Sequence, residues 1–303
     1  MVTPKRRALG CAVINVGAAA LAAAAVTSPT VAAHPDTDEE TVQYLANEGI
    51  MVTHGAVKVL FDPLFNKGFG QYQLLPPAIK EKLVAGLPPY DDVDVVFVSH
   101  SHDDHFAVDE MAAYLASNDA ILVGPAQVIS ALSARESAVS FDGHGRMLQA
   151  TFGPGTACAP SDTEVCTFAI ERGGLAINVE AVRIPHAGGL RRAQIENMVY
   201  RVTLDDALTV MHLGDATPDQ SAFTPHTDHW KRLLSHAAFP PEWIIRVHGR
   251  EGTETLLNAD HVIGVHVPVF VPAALIATGA DYFSQPGETR SIPHHHNHKE
   301  DRP

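Results

Sequence analysis

Apolar runs bounded by turn residues punctuate the chain, and their lengths separate strands from helices. "EGIMVTHGAVKVLFDPLF" (48–65) reads as two strands joined near His54–Gly55. "VDVVFV" (93–98) and "AILVG" (120–124) are continuous apolar runs, the pattern of strands covered on both faces. "LAINVEAVRIPHAGG" (175–189), "MVYRVTL" (198–204) and "ALTVMHLGD" (207–215) predict three more strands, and "HVIGVHVPVF" (261–270) a last one. Helical stretches lie between them. "PPAIKEKLVAGLPP" (76–89) holds one short helix between proline stops. "AVDEMAAYLASN" (107–118) places Asp109 and Glu110 in a first turn, where the helix dipole favours acids, and Met111, Tyr114 and Leu115 on one face. "GTETLLN" (252–258) is a third helix. Residues 142–166, rich in Gly, Pro and Cys, predict an irregular connection. Strands and helices mix throughout, which favours sheets covered by helices in one continuous domain.

The two ends depart from this pattern. Lys5, Arg6 and Arg7 precede the uncharged apolar run 11–26, and "TSPTVAA" then places Val31 and Ala33 before a cut at His34. This is the layout of a secretory signal peptide over 1–33. A membrane anchor fits less well, because the apolar run is short for a span and ends in small residues. Residues 34–42 are polar and acidic, the mark of a loose leader. The tail 291–303 is polar and His-rich, and reads as a flexible end. The folded domain is therefore expected over 43–290, in an exported protein, periplasmic or secreted, with no stable membrane span after processing.

Composition narrows the partners. The 303-residue chain carries a formal charge of −14, and the segment 1–33 holds three basic and no acidic residues, so processing makes it more acidic still. Such a chain is a poor candidate for nucleic-acid binding, which depends on neutralising phosphates, and a small-molecule substrate is the expected partner. Of its three cysteines, Cys11 leaves with the signal peptide. Cys158 and Cys166 remain, and an even pair in an exported chain reads as a disulfide stabilising the fold by about 2–3 kcal/mol.

The chemistry concentrates in "SHSHDDH" (99–105), directly after the strand 93–98. Imidazole nitrogens and carboxylate oxygens are the usual ligands of zinc and similar cations. His100, His102 and Asp104 alternate, so in extended backbone they point the same way, and His105 points elsewhere. One loop thereby offers ligands to two neighbouring ions, at the strand end where α/β proteins place their sites.

This pattern resembles the signature of the metallo-β-lactamase-fold hydrolases. Later motifs follow in that family's order: His186 in "VRIPHAGG", Asp215 in "MHLGDAT" and His266 in "VIGVHVP". The resemblance spans about residues 43–270. It implies an α/β fold of the αββα sandwich type, two mixed sheets with helices outside. It also implies that His100, His102 and His186 hold one divalent metal ion, that Asp104, His105 and His266 hold a second, and that Asp215 bridges them. The ions would be zinc, with manganese or iron as alternatives. Catalysis would be attack by a metal-bridged hydroxide, positioned by Asp104, on an ester-like bond of a lactone, thioester or phosphodiester. The bridging carboxylate sets the chain apart from the zinc β-lactamases. "KVLFDPLF" resembles the branch containing ascorbate-6-phosphate lactonase and N-acyl-phosphatidylethanolamine phospholipase D, in which Asp62 would orient a ligand histidine. That branch often has Gly-His before its first strand, whereas this chain has "LANEG" with Asn47. Two other readings remain: a mononuclear iron persulfide dioxygenase of the same fold, and a non-catalytic metal-binding protein.

Other residues compete for roles. His248 rivals His266 as the last ligand. His54 reads as a turn residue, His212 as a packed core residue and His261 as surface or support. Asp103 is expected to hydrogen-bond its own loop. Arg191 and Arg192 are either a solvated pair or a grip for phosphate or carboxylate. The segment with Trp230, Phe239, Pro240, Pro241 and Trp243 is read as core, with pocket lining as the alternative.

Overall fold

The computed structural model describes residues 40–135, 145–159 and 164–293. The segment 1–33 read as a signal peptide, most of the stretch read as leader, and the His-rich tail from 294 onward lie outside the described residues.

In chain order the first strands are β1 (Glu40–Ala46), β2 (Gly49–His54), β3 (Val57–Phe61), β4 (Val95–Phe97), β5 (Ile121–Gly124) and β6 (Met147–Gln149). They are followed by β7 (Val165–Arg172), β8 (Leu175–Arg183), β9 (Met198–Leu204), β10 (Leu208–His212), β11 (Ser235–Phe239), β12 (Ala259–Gly264) and β13 (Asp281–Tyr282), and last by β14 (Thr289–Ser291). Two seven-stranded sheets result, ordered β14-β1-β2-β3-β4-β5-β6 and β13-β12-β11-β10-β9-β8-β7. Both are mixed. β1, β2 and β3 pair antiparallel and β3 to β6 parallel. In the second sheet β7 to β10 pair antiparallel and β10 to β13 parallel.

Strand alternation builds the layers. Val59 and Phe61 point between the sheets, whereas Leu60 points outward. The inner core joins Val52, Phe61 and Phe97 of the first sheet to Val179, Tyr200 and Phe239 of the second. Each such fully buried side chain stabilises the fold by about 1.5–3 kcal/mol. Helices cover both outer faces. On the first sheet, Leu83 of α1 (Pro77–Val84), Met111 and Leu115 of α2 (Val108–Ser117) and Val128 of α3 (Ala126–Ser133) pack on Leu60, Val96 and Leu122. Two short helices, α4 (Gln220–Phe223) and α5 (Thr227–Trp230), precede the long α6 (Glu242–Leu257), and α7 (Ala273–Ile276) follows it. Phe223, Trp230, Ile244 and Leu257 of this group pack on Met211, Ala238 and Val262. The fold is thus the expected αββα sandwich.

The pattern misses several elements for identifiable reasons. β1 begins at Glu40, inside the stretch read as leader: its polar Thr41 and Gln43 are partly exposed and alternate with Val42 and Tyr44, which enter the inner core. β14 pairs with β1 and Ile292 is buried, so the fold runs past 290. Short β6 sits within the segment 142–166 read as irregular. α6 is longer than 252–258 and bends at Gly249, whose φ is 72°. Cys158 and Cys166 form a disulfide. No helix among the described residues is long and apolar enough to cross a membrane.

Candidate metal centre

Strand ends meet at one edge of the sandwich. Past β4 come His100, His102, Asp104 and His105; His186 follows β8, Asp215 follows β10, and His266 follows β12. His186 and Ala216 pair across an isolated bridge, which joins two of these ends. All seven are buried except His102, which is partly exposed.

Their side chains converge in two groups. His102 Nδ1 lies 3.1 Å from His100 Nε2 and 3.0 Å from His186 Nε2. Tetrahedral ligands about 2.0–2.1 Å from one zinc ion stand about 3.3 Å apart, so this spacing suits a shared cation. His105 and His266 face Asp104 Oδ2 from 3.9 and 3.5 Å. Asp215 stands between the groups. Its Oδ2 is 3.1 Å from His186 Nε2, and its Oδ1 is 3.2 Å from both His105 Nε2 and His266 Nε2. His105 Nε2, His266 Nε2 and Asp215 Oδ1 are buried without a hydrogen-bond partner. Buried polar atoms are rarely left so, and lone pairs aimed at one another call for a cation between them. The donor set therefore fits divalent metals.

A deeper layer orients these ligands. The Nδ1 atoms of His100, His105 and His186 approach Ser99 Oγ at 3.0 Å, Asp62 Oδ2 at 2.9 Å and the Ala187 carbonyl at 2.5 Å. Protons held on those outer nitrogens leave the Nε2 lone pairs pointing inward. Asp62 also accepts the Ser99 N–H at 2.7 Å and its hydroxyl at 2.5 Å. The Asn47 amide donates to the Asp104 carbonyl at 2.9 Å, and the Asn47 carbonyl accepts the His266 N–H at 2.8 Å. Asn197 accepts the Asp215 N–H and donates to the carbonyls of Ile184 and Leu213. Gly214 makes this possible: with φ at 53°, a Cβ would lie 2.5 Å from Asn197 Oδ1 and 2.6 Å from Ser99 Cβ. Asp62 and His266 also take left-handed backbone, with φ of 42° and 53°. That conformation is costly for a non-glycine residue and clusters at functional sites.

Burial, reinforced by neighbouring imidazoles, holds His100 well below the usual imidazole range, ready to ligate as a neutral ring. Burial opposes the charge on Asp215, yet His266, His105 and His186 outweigh it and hold the carboxyl well below its usual range. Beneath them, Glu48 is fully buried and neither of its carboxylate oxygens has a hydrogen-bond partner. Burial pushes its carboxyl well above the usual range, against the pull of His105.

The rival residues resolve by position. His248 lies on α6 with its Nε2 2.8 Å from the Pro218 carbonyl, outside both ligand groups. His212 is buried, stacked on Phe61, and its Nε2 meets the Glu48 carbonyl at 3.1 Å. His54 pairs with Glu40 at 3.1 Å, and His261 is exposed. Asp103 anchors its loop through its main-chain carbonyl, which accepts from Asn66 and Lys67. Trp230 and Phe239 are core, whereas Trp243 joins a cavity of about 810 Å³ over the ligands. Its other walls include Phe69, Tyr72, Ser101, Asp104, Gly188, Arg191 and Arg192. Asn47, Glu48, Tyr72 and Asn197 escape sequence reasoning, since each is an isolated polar or aromatic residue. Only the replacement of Gly-His by "LANEG" marks Asn47.

An edge-on sandwich with converging imidazoles and carboxylates defines a metallo-hydrolase-like protein. The sequence pattern of the beta-lactamase superfamily domain matches residues 41–228, more than half of the chain, and the chain belongs to that superfamily. No curated protein matches it. Among solved structures it is similar to Igni18, a metallo hydrolase from Ignicoccus hospitalis, at 13% identity and a TM-score of 0.54, over 84% of this chain and 99% of that one. It is likewise similar to a possible metal-dependent hydrolase from Veillonella parvula, at 13% identity and a TM-score of 0.56, over 84% and 100% of the two chains. An isothiocyanate hydrolase from Delia radicum gut bacteria matches at 14% identity and a TM-score of 0.54, over 83% and 99%. At such identities these likenesses speak for the fold alone.

Proposed function

We propose that this chain is an exported, dinuclear metal-dependent hydrolase acting on an ester-like bond of a small molecule. In this reading His100, His102 and His186 hold one cation, Asp104, His105 and His266 hold the other, and Asp215 belongs to both. The observation that carries it is the split of Asp215, whose two carboxylate oxygens face different imidazole groups. Two such cations, zinc or else manganese or iron, supply an acidified water and steady the negative charge that develops on the substrate. Asp104 lines the cavity, where its carboxylate would orient a water for attack. Asp62, Ser99 and the Ala187 carbonyl keep the inner nitrogens unprotonated. The signal-like segment 1–33 and the disulfide support export.

Elemental analysis of the purified mature protein, followed by a panel of lactones, thioesters and phosphodiesters, tests this. Two metal equivalents are expected, with turnover lost on chelation and regained on refilling. A single iron with oxygen consumption would instead identify an oxidising enzyme. Bound metal without turnover of any ester-like substrate would identify a metal-binding protein.

A further inference from the structure

The cavity over the ligands has two unlike walls. On one side Arg191 and Arg192 close a single 3₁₀ turn, Gly189–Arg192, just past His186. This chain has 35 acidic and 21 basic residues, and Arg135, Arg172, Arg201, Arg246 and Arg290 each face a carboxylate. Arg191 has no ion-pair or hydrogen-bond partner among the described residues. For Arg192 the nearest carboxylate oxygen is Asp215 Oδ2 at 3.9 Å, and that oxygen is the one turned toward the His186 group. The Arg192 stem runs over Gly188, where a Cβ would lie 3.2 Å from Arg192 Cδ and φ is 101°. The glycine thus leaves room for the guanidinium to lean over the ligands.

The wall beside His266 is aromatic. Tyr72 meets His266 edge-on with ring centroids 4.1 Å apart, and Trp243 lies 5.0 Å from the same ring. Trp243 spends its N–H on the Ala216 carbonyl at 2.9 Å, which leaves an apolar ring surface for the cavity. Phe69 sits at the mouth, 67% exposed, in left-handed backbone. A large aromatic held in water at a cavity mouth is an apolar contact surface without a cover.

We infer that the cavity takes an amphipathic anion: an apolar body lies along Phe69, Tyr72 and Trp243, while a carboxylate or phosphate group meets Arg191 and Arg192. The inference deepens the hydrolase reading by naming its substrate class, and rests on that reading. Guanidinium groups bind such anions through paired, charge-assisted hydrogen bonds, and aromatic rings bind a chain of any length that covers them. The two walls together select against neutral or purely polar esters.

Binding tests this without reference to turnover. Decanoate, decyl phosphate, decanamide and acetate are titrated into the metal-loaded mature protein by calorimetry. At least one of the two long anions is expected to bind about 10-fold or more tighter than decanamide, and acetate about 10-fold or more weaker than decanoate. Which of the two long anions binds tighter distinguishes carboxylate from phosphate. The R191Q/R192Q double variant, checked for unchanged metal content, is expected to lose the preference for the anion and keep decanamide affinity within about 2-fold. Equal binding of decanoate, decyl phosphate and decanamide would overturn the inference. So would a preference that survives in the double variant, because the anion would then sit on the metals. Equal binding of acetate and decanoate would remove the aromatic wall from the argument. Failure of the hydrolase reading shows separately, in metal content and the substrate panel.

Discussion

The two ligand groups differ in how they are held. His100, His102 and His186 are a ring of imidazoles, and the outer nitrogens of His100 and His186 meet a neighbouring hydroxyl and a neighbouring carbonyl. Asp104, His105 and His266 form a second group whose supports come from far along the chain. Asp62 holds His105, Asn47 holds both the Asp104 carbonyl and the His266 N–H, and Trp243 and Tyr72 pack on His266. The first group leans on its chain neighbours Ser99 and Ala187, while the second draws also on Asn47 in the turn between β1 and β2. A site whose ligands are oriented by distant contacts loses metal when those contacts are cut, even though no ligand changes.

The comparison breaks most completely at Asp215, which serves both groups. Asp215→Ala should empty both positions and lower turnover by at least about 10³-fold, since cation stabilisation is worth several kcal/mol. Metal counting alongside kinetics checks it; a variant that keeps two equivalents would show that the groups stand independently. His266→Ala should separate them, leaving about one equivalent of metal where His102→Ala disturbs the other position. Competition with a chelator resolves the two, and loss of both ions from His266→Ala would make the pair inseparable. Asp62→Asn keeps a side chain that tolerates left-handed backbone but removes the charge facing His105. Metal affinity at the His105 position should fall about 10–100-fold, measured by titration of the stripped protein, with a smaller fall at the His100 position, which Asp62 reaches only through Ser99. The smallest effect is expected from Asn47→Ala. It leaves the buried Asp104 carbonyl without its amide donor, at about 1–3 kcal/mol of stability. Thermal unfolding should shift down, and only the metal at the Asp104 position should weaken; equal weakening of both would assign Asn47 a purely structural part.

Particular residues show how far the chain could be read in advance. The loop His100–His105 is legible because its ligands are contiguous and follow an apolar strand. His186, Asp215 and His266 are legible through motifs in the right order, yet spacing alone could not prefer His266 over His248. The fold sets the two apart: His266, just past β12, faces Asp104 and Asp215, whereas His248 turns on α6 toward Pro218. β1 is hidden by its mixed polarity, and Glu48 and Asn197 belong to no local pattern.

By itself the sequence determined the layering and the chemistry: apolar runs of strand length, helices between them, and a donor set of imidazoles and carboxylates, all of which follow from local residue type and period. Only the tertiary structure decided which side chain faces which. Asp215 splits its oxygens between two groups, Gly214 admits Asn197 beneath it, and the β1–β2 turn supports Asp104 and His266. These relations join residues far apart in the chain, and packing between two sheets, rather than any local preference, sets their distances.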